Sequence, residues 1–227
     1  MVADSSVAQE SGEPTVRMAK SLRLVLLLLP PLLLAGLETV HPQPEPTVQA
    51  MLEVATWFAI FHAIQLVLIG LVGLSVLLLA DTFGPTNTWA TRVGLGLFLV
   101  FFSAYDTLAG IGTGLAMWKA RNLSATQQDG VLAVVQDWPG LGAPFALSIL
   151  GTAGWVIAVG ALALTAYRQR TPHRVWIVLG LAALSLLGGH PFPAGTLAFG
   201  SFFVAALLVE RQSTRRTARS PLGRSER

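Results

Sequence analysis

Residues 52–80 read LEVATWFAIFHAIQLVLIGLVGLSVLLLA, and Glu53 is the only charged residue in the stretch. A hydrocarbon core of ~30 Å needs about 20 mostly apolar residues to be crossed by a helix, and this run exceeds that length. Backbone in hydrocarbon must satisfy its own hydrogen bonds, so a helix is the natural conformation. Five further apolar runs lie at 22–37, 93–118, 141–166, 175–189 and 196–209. The expected fold is therefore an all-α membrane protein, a six-transmembrane-helix bundle.

Composition points the same way. The chain has 227 residues, of which 53% are hydrophobic and 12% charged, too apolar a balance for an ordinary soluble domain. There is no cysteine, which excludes disulfides, thiolate metal sites, iron–sulfur clusters and cysteine nucleophiles together. The sequence pI is near 10, but the positive charge lies beside the apolar runs, where it sets topology, and is not a nucleic-acid footprint.

Arg17, Lys20 and Arg23 precede the first run, and Arg92 precedes the third. Arg168, Arg170, His173 and Arg174 lie between the fourth and fifth, and Arg211, Arg215, Arg216, Arg219, Arg224 and Arg227 follow the sixth. With six spans all four clusters fall on one side, leaving Lys119 and Arg121 on the other. The positive-inside rule then places both termini in the cytoplasm and the chain in a plasma (inner) membrane. The expected organisation is a disordered tail over 1–19, a transmembrane domain over 20–211 and a disordered basic tail over 212–227. The first run, with its basic flank and Pro30-Pro31, also resembles a signal peptide. Its exit at Gly36-Leu37-Glu38-Thr39 lacks a small-x-small cleavage site, which favours a retained, proline-kinked helix.

Between the runs, residues 81–88 (DTFGPTNT) carry ordinary turn chemistry. Gly110 and Gly114 share one helix face, and Gly151, Gly154 and Gly160 recur in the fourth run; such small residues permit close helix approach. They are read mainly as internal packing, with docking of other membrane proteins as the alternative, besides the lipid bilayer itself. Ser124-Ala125-Thr126-Gln127 resembles a capping box. Val131, Val134, Val135 and Trp138 follow at helical spacing and predict a short outer amphipathic helix anchored by Trp138 and ended by Pro139-Gly140. Asn122-Leu123-Ser124 matches a glycosylation sequon, a pattern common by chance. The fifth and sixth runs are short for spans, and His190-Pro191-Phe192-Pro193 breaks them into two helices joined by a tight outer turn.

Two sets of residues are candidates for chemistry. His62 lies deep in the second span, with Gln65 on its face, and Asp106 lies deep in the third beside Tyr105 and Ser103. At 1.5 Å per residue from the outer helix ends they sit ~16 and ~20 Å down, so they can meet. Charge at such depth is costly unless paired, which marks the pair as functional by default. Asp106 would either stabilise an imidazolium or orient a neutral imidazole; a polar clasp between two helices competes equally.

The second set is the repeated H-P-x-P pattern, His41-Pro42-Gln43-Pro44 and His190-Pro191-Phe192-Pro193. Proline alone explains stiff turns there, and that reading is preferred. The chemical alternative brings His41 and His190 together at an outer mouth, with Glu38 or Glu53 as the carboxylate between them and Glu45 close by, to hold a divalent transition metal. Haem is disfavoured, because the deep His62 has no second histidine expected at its level. Glu53 is nine residues from His62, on the opposite helix face. No phosphate-binding loop, H-E-x-x-H or G-x-S-x-G motif occurs.

Residues 102–114 (FSAYDTLAGIGTG), together with the two His-Pro pairs, resemble a group of uncharacterised bacterial multi-pass membrane proteins over roughly 38–205. The resemblance implies six spans and a bacterial origin, and no activity. Thirteen arginines against two lysines also fit a GC-rich genome. Three functions remain open: a small transport or ligand-binding bundle using His62 and Asp106, a membrane metal or redox protein using His41 and His190, and an accessory subunit. The first leads, and whether the chain is an enzyme is left open.

Overall fold

The computed structural model describes residues 18–84, 88–137 and 142–219, the side chains of 142–144 and 214–219 excepted. Both tails up to residue 17 and from 220, residues 85–87 of the 81–88 turn, and the expected anchor Trp138 with Pro139-Gly140 lie outside the described residues. Among the described residues every regular element is helical. We number them α1 (Lys20–Glu38), α2 (Val48–Asp81), α3 (Trp89–Ala120), α4 (Ala125–Asp137), α5 (Gly142–Arg168), α6 (His173–Gly188) and α7 (Ala194–Arg219).

Five helices, α1, α2, α3, α5 and α7, are long and apolar enough to cross a membrane. The sixth apolar helix, α6, ends in a 3₁₀ turn over Leu186–Gly188 and rises only about 25 Å. It is too short to count by length alone, so the chain has five candidate spans and one shorter apolar helix.

Six helices close a ring in the order α1, α2, α3, α5, α6, α7, with α7 returning to α1. The ring is filled by Phe98, Phe102, Trp155, Phe199 and Phe202, all buried. The indole N–H of Trp155 donates to the Ala182 carbonyl at 2.9 Å, which satisfies the one polar atom of this aromatic layer. Large apolar side chains such as Val67, Val100, Leu184 and Leu187 face outward, as expected where lipid replaces water.

One end of the ring is basic. Arg23 pairs with Glu210 and donates to the Leu78 carbonyl, and Arg92 pairs with Asp81 at 3.2 Å. At the opposite end the helices finish at different heights. The 34-residue α2 and the 32-residue α3 run on past the ends of α1 and α6, and α4 packs on their overhang. There Met51, Ala55, Met117, Leu132 and Val135 form a second, smaller core. The segment expected to be amphipathic is helical, and it buries Leu132 and Val135 while leaving Val134, one of the expected apolar set, exposed.

Two stretches of α3, Phe98–Phe102 and Asp106–Gly112, are π-helical. Such widened turns are uncommon and cluster at functional sites. The second begins at Asp106 and contains Gly110. A Cβ on Gly110 would fall inside the His62 imidazole, and one on Gly114 would lie 2.6 Å from the Ala59 nitrogen. Gly94, Gly151 and Gly154 are closed in the same way between α3 and α5. The faces these glycines open are filled by the chain's own helices, whereas Gly160 faces open space.

Candidate metal centre

The two sets of residues read from the sequence form one cluster. Glu38 is the last residue of α1, and His41 lies on the strap between α1 and α2. His62 and Gln65 come from α2, Asp106 from the second π segment of α3, and His190 from the turn between α6 and α7. One ligand atom each from His41, His62 and His190 lies within 4.8 Å of the others. The ring centroids are 4.8 Å apart for His41–His190, 5.1 Å for His41–His62 and 6.1 Å for His62–His190.

Helix length explains why His62 does have histidines at its level. Depth counted from the free end of α2 includes the overhang, about 21 Å of helix between Val48 and His62. Because α1 and α6 stop short of that end, both H-P-x-P segments begin beside His62. The strap HPQPEP then climbs back along the overhang to Thr47, whose hydroxyl caps α2 by accepting from the Ala50 N–H at 3.3 Å. Three prolines hold the strap extended and remove N–H groups that would otherwise need partners. Its Pro46 carbonyl accepts from Gln136 of α4 at 2.9 Å.

His62 is 3% exposed. Its Nδ1 lies 2.7 Å from the Phe58 carbonyl, which can only accept, so Nδ1 carries a proton. In the neutral ring Nε2 then presents a lone pair, and it faces Asp106 Oδ1 at 3.9 Å, too far for a hydrogen bond. Both Asp106 oxygens are buried and lack a hydrogen-bond partner. Two acceptors thus face each other across a gap.

Gln65 organises the other side. Its amide donates to Glu38 Oε1 at 2.8 Å and reaches His190 Nδ1 at 3.3 Å. Glu38 Oε2 lies 3.7 Å from the same His190 nitrogen. A Cβ at Gly195 would collide with the His190 carbonyl and approach the Glu38 carboxyl carbon to 3.0 Å, so this glycine lets α7 close against both residues. Glu38 and Asp106 are 0% and 1% exposed, and among the described residues neither pairs with a lysine or arginine. In this cluster Glu38 Oε2, both His41 ring nitrogens, Gln65 Oε1 and both Asp106 oxygens are buried without hydrogen-bond partners. Burial first, then the nearby charges of His190 and His62, pushes the His41 imidazole down to about 3. It is therefore neutral at pH 7 and carries a free lone pair.

Beneath the cluster the Phe102 ring lies 5.7 Å from His190 and the Tyr105 ring 6.5 Å. Phe98 and Trp155 continue this aromatic floor toward the basic end. Glu53 stays outside the cluster, exposed on the overhang, where it accepts from Gln49 at 2.6 Å. Sequence reasoning missed the Phe58 carbonyl and Gly195. The first has a faint signal, since a helical histidine can reach the carbonyl four residues back; the second has none.

Five segments thus converge on imidazole and carboxylate donors without sulfur, a set suited to zinc and other divalent transition ions. No protein-family model, no curated protein and no solved structure matches the chain.

Proposed function

We propose that this chain is a six-span membrane metalloprotein that holds one divalent transition ion between His41, His62 and His190. Asp106 is the fourth ligand, facing the lone pair of His62. Glu38 stands behind His190, its Oε2 3.7 Å from the imidazole Nδ1, where a carboxylate would orient a metal-bound histidine once the pair closes. One observation carries the reading: three imidazoles lie within 4.8 Å of one another, beside two buried carboxylates that no lysine or arginine neutralises. An unpaired buried carboxylate costs several kcal/mol, and a cation here would remove that cost twice.

The aromatic floor under His190 favours a site served from one side over a pathway across the bilayer, which sets the transport reading behind the metal reading. In this account α6 also crosses the membrane, in a thinned or tilted setting. The basic end faces the cytoplasm with both termini, and the centre sits near the outer edge of the hydrocarbon, ~25–28 Å from the basic end along α2 and α3.

Metal content tests this. Protein purified in detergent and dialysed against zinc should retain about one zinc per chain by mass spectrometry. His41→Ala, His62→Ala and His190→Ala should each lose it, while His173→Ala, at the basic end, should keep it. Zinc retention that is unaffected by all four substitutions would sink the proposal.

A further inference from the structure

The buried charges of the centre set the charge of the ion that fits it. Glu38 and Asp106 are 0% and 1% exposed and reach the histidines from different helices, α1 and α3. What surrounds the imidazoles is otherwise uncharged: the rings of Phe58, Phe61, Phe102 and Tyr105, and the Gln65 amide. Cations keep their distance along the helices that carry the cluster. Arg23 is ~22 Å from Glu38 along α1, and Arg92 and Lys119 are each ~20 Å from Asp106 along α3. The second helix, α2, carries neither lysine nor arginine. Arg121, just past α3, is held by the Leu52 carbonyl, ~15 Å along α2 from His62. Buried carboxylates without a counter-ion are costly, and in the metal reading the ion alone supplies that counter-charge.

We propose that the centre is matched to the divalent state and holds a 2+ ion that does not change oxidation state. The proposal rests on the metal reading above and adds the charge and redox class of the ion. With two carboxylates and three neutral imidazoles, a divalent ion brings the buried cluster to zero net charge. Copper(I) would leave one negative charge uncompensated, and iron(III) one positive charge, in both cases away from water. Donor chemistry also acts against copper(I), which favours sulfur ligands. The chain has no cysteine. Met51 and Met117 are enclosed in the smaller core with α4, ~16 Å of helix from His62 and Asp106 respectively. Electron transfer is thereby removed from the uses of the centre. Those of a fixed divalent ion such as zinc are left, as a Lewis acid, a structural tie or the cargo itself.

Redox titration of copper-loaded, full-length protein in detergent gives the test, with the paramagnetic resonance signal of copper(II) as the readout. Zinc and copper contents are measured first. In excess ascorbate, which reduces unbound copper(II), the wild-type signal should persist. Glu38→Gln removes one charge and no ligand, and should lower the preference for copper(II) over copper(I) at least tenfold. For this one-electron couple that is a midpoint raised by at least about 59 mV. Glu38→Asp keeps the charge and should stay near the wild type. Asp106→Asn should raise the midpoint as well, which covers the case in which Glu38→Gln fails to fold. Loss of the wild-type signal in ascorbate while copper stays bound would overturn this inference alone. So would bound copper with one midpoint in the wild type, Glu38→Gln and Asp106→Asn, even if copper content falls, since the carboxylates would then be structural only. Absence of both zinc and copper binding would remove the metal reading and this inference with it.

Discussion

At the scale of single residues, the centre depends on one missing Cβ and two differently placed carboxylates. Gly110→Ala would put a methyl group where the His62 ring now sits, and backbone on neither helix can yield without moving the other. Zinc affinity should fall at least tenfold while membrane insertion persists, as read by chelator competition and membrane fractionation; unchanged affinity would show that the ring has room. Asp106→Asn and Glu38→Gln separate ligand from orienting group. Outer-sphere partners of metal-bound histidine typically contribute about 10–100-fold in affinity, so Glu38→Gln should fall in that range and Asp106→Asn should lose more. The reverse order would exchange their roles. The nearness of His62 to Asp106, 3.9 Å apart, was legible in the sequence, because two polar residues at similar depth in adjacent long helices are costly apart. Their meeting with His41 and His190 was not, since it depends on where α1 and α6 stop, and the hydropathy of the runs does not encode those heights.

At the scale of elements, close helix approach was legible from glycine spacing, but the partners were not. Gly94 and Gly154 face each other across α3 and α5, and a Cβ on Gly154 would collide with the Phe98 backbone nitrogen. Gly154→Ala should therefore destabilise the protein by about 1–3 kcal/mol, the usual scale for overpacking, seen as a lower thermal midpoint in detergent. Gly160→Ala, which faces open space on the same helix, should be neutral or slightly stabilising. Equal effects would mean that the α3–α5 contact is looser than these distances imply. A helix over the α4 segment was expected from the valine spacing, although Val134 of that set is exposed, whereas the two π segments of α3 had no readable signal. Phe98–Phe102 packs mainly on α5 and Asp106–Gly112 on α2.

At the scale of the molecule, the membrane class followed from hydropathy alone, while the span count did not, because α6 is too short to decide by composition. The ring is closed by α1 and α7, and Glu38, His41, His62, Asp106 and His190 tie five separate segments at one level of it. A ligand that binds only the folded ring adds stability with its concentration, about 2.7 kcal/mol at 100 times its dissociation constant. Stripping the metal with a chelator should therefore lower the thermal midpoint of the wild type and leave that of a His62→Ala and His190→Ala double variant unmoved. The most direct test of the whole account is the X-ray absorption spectrum of the zinc-loaded protein. It should show nitrogen and oxygen neighbours at ~2.0–2.1 Å and outer-shell scattering from three imidazoles. A first shell of oxygen alone, with no imidazole scattering, would mean that zinc binds elsewhere and that the three histidines do not form a metal centre.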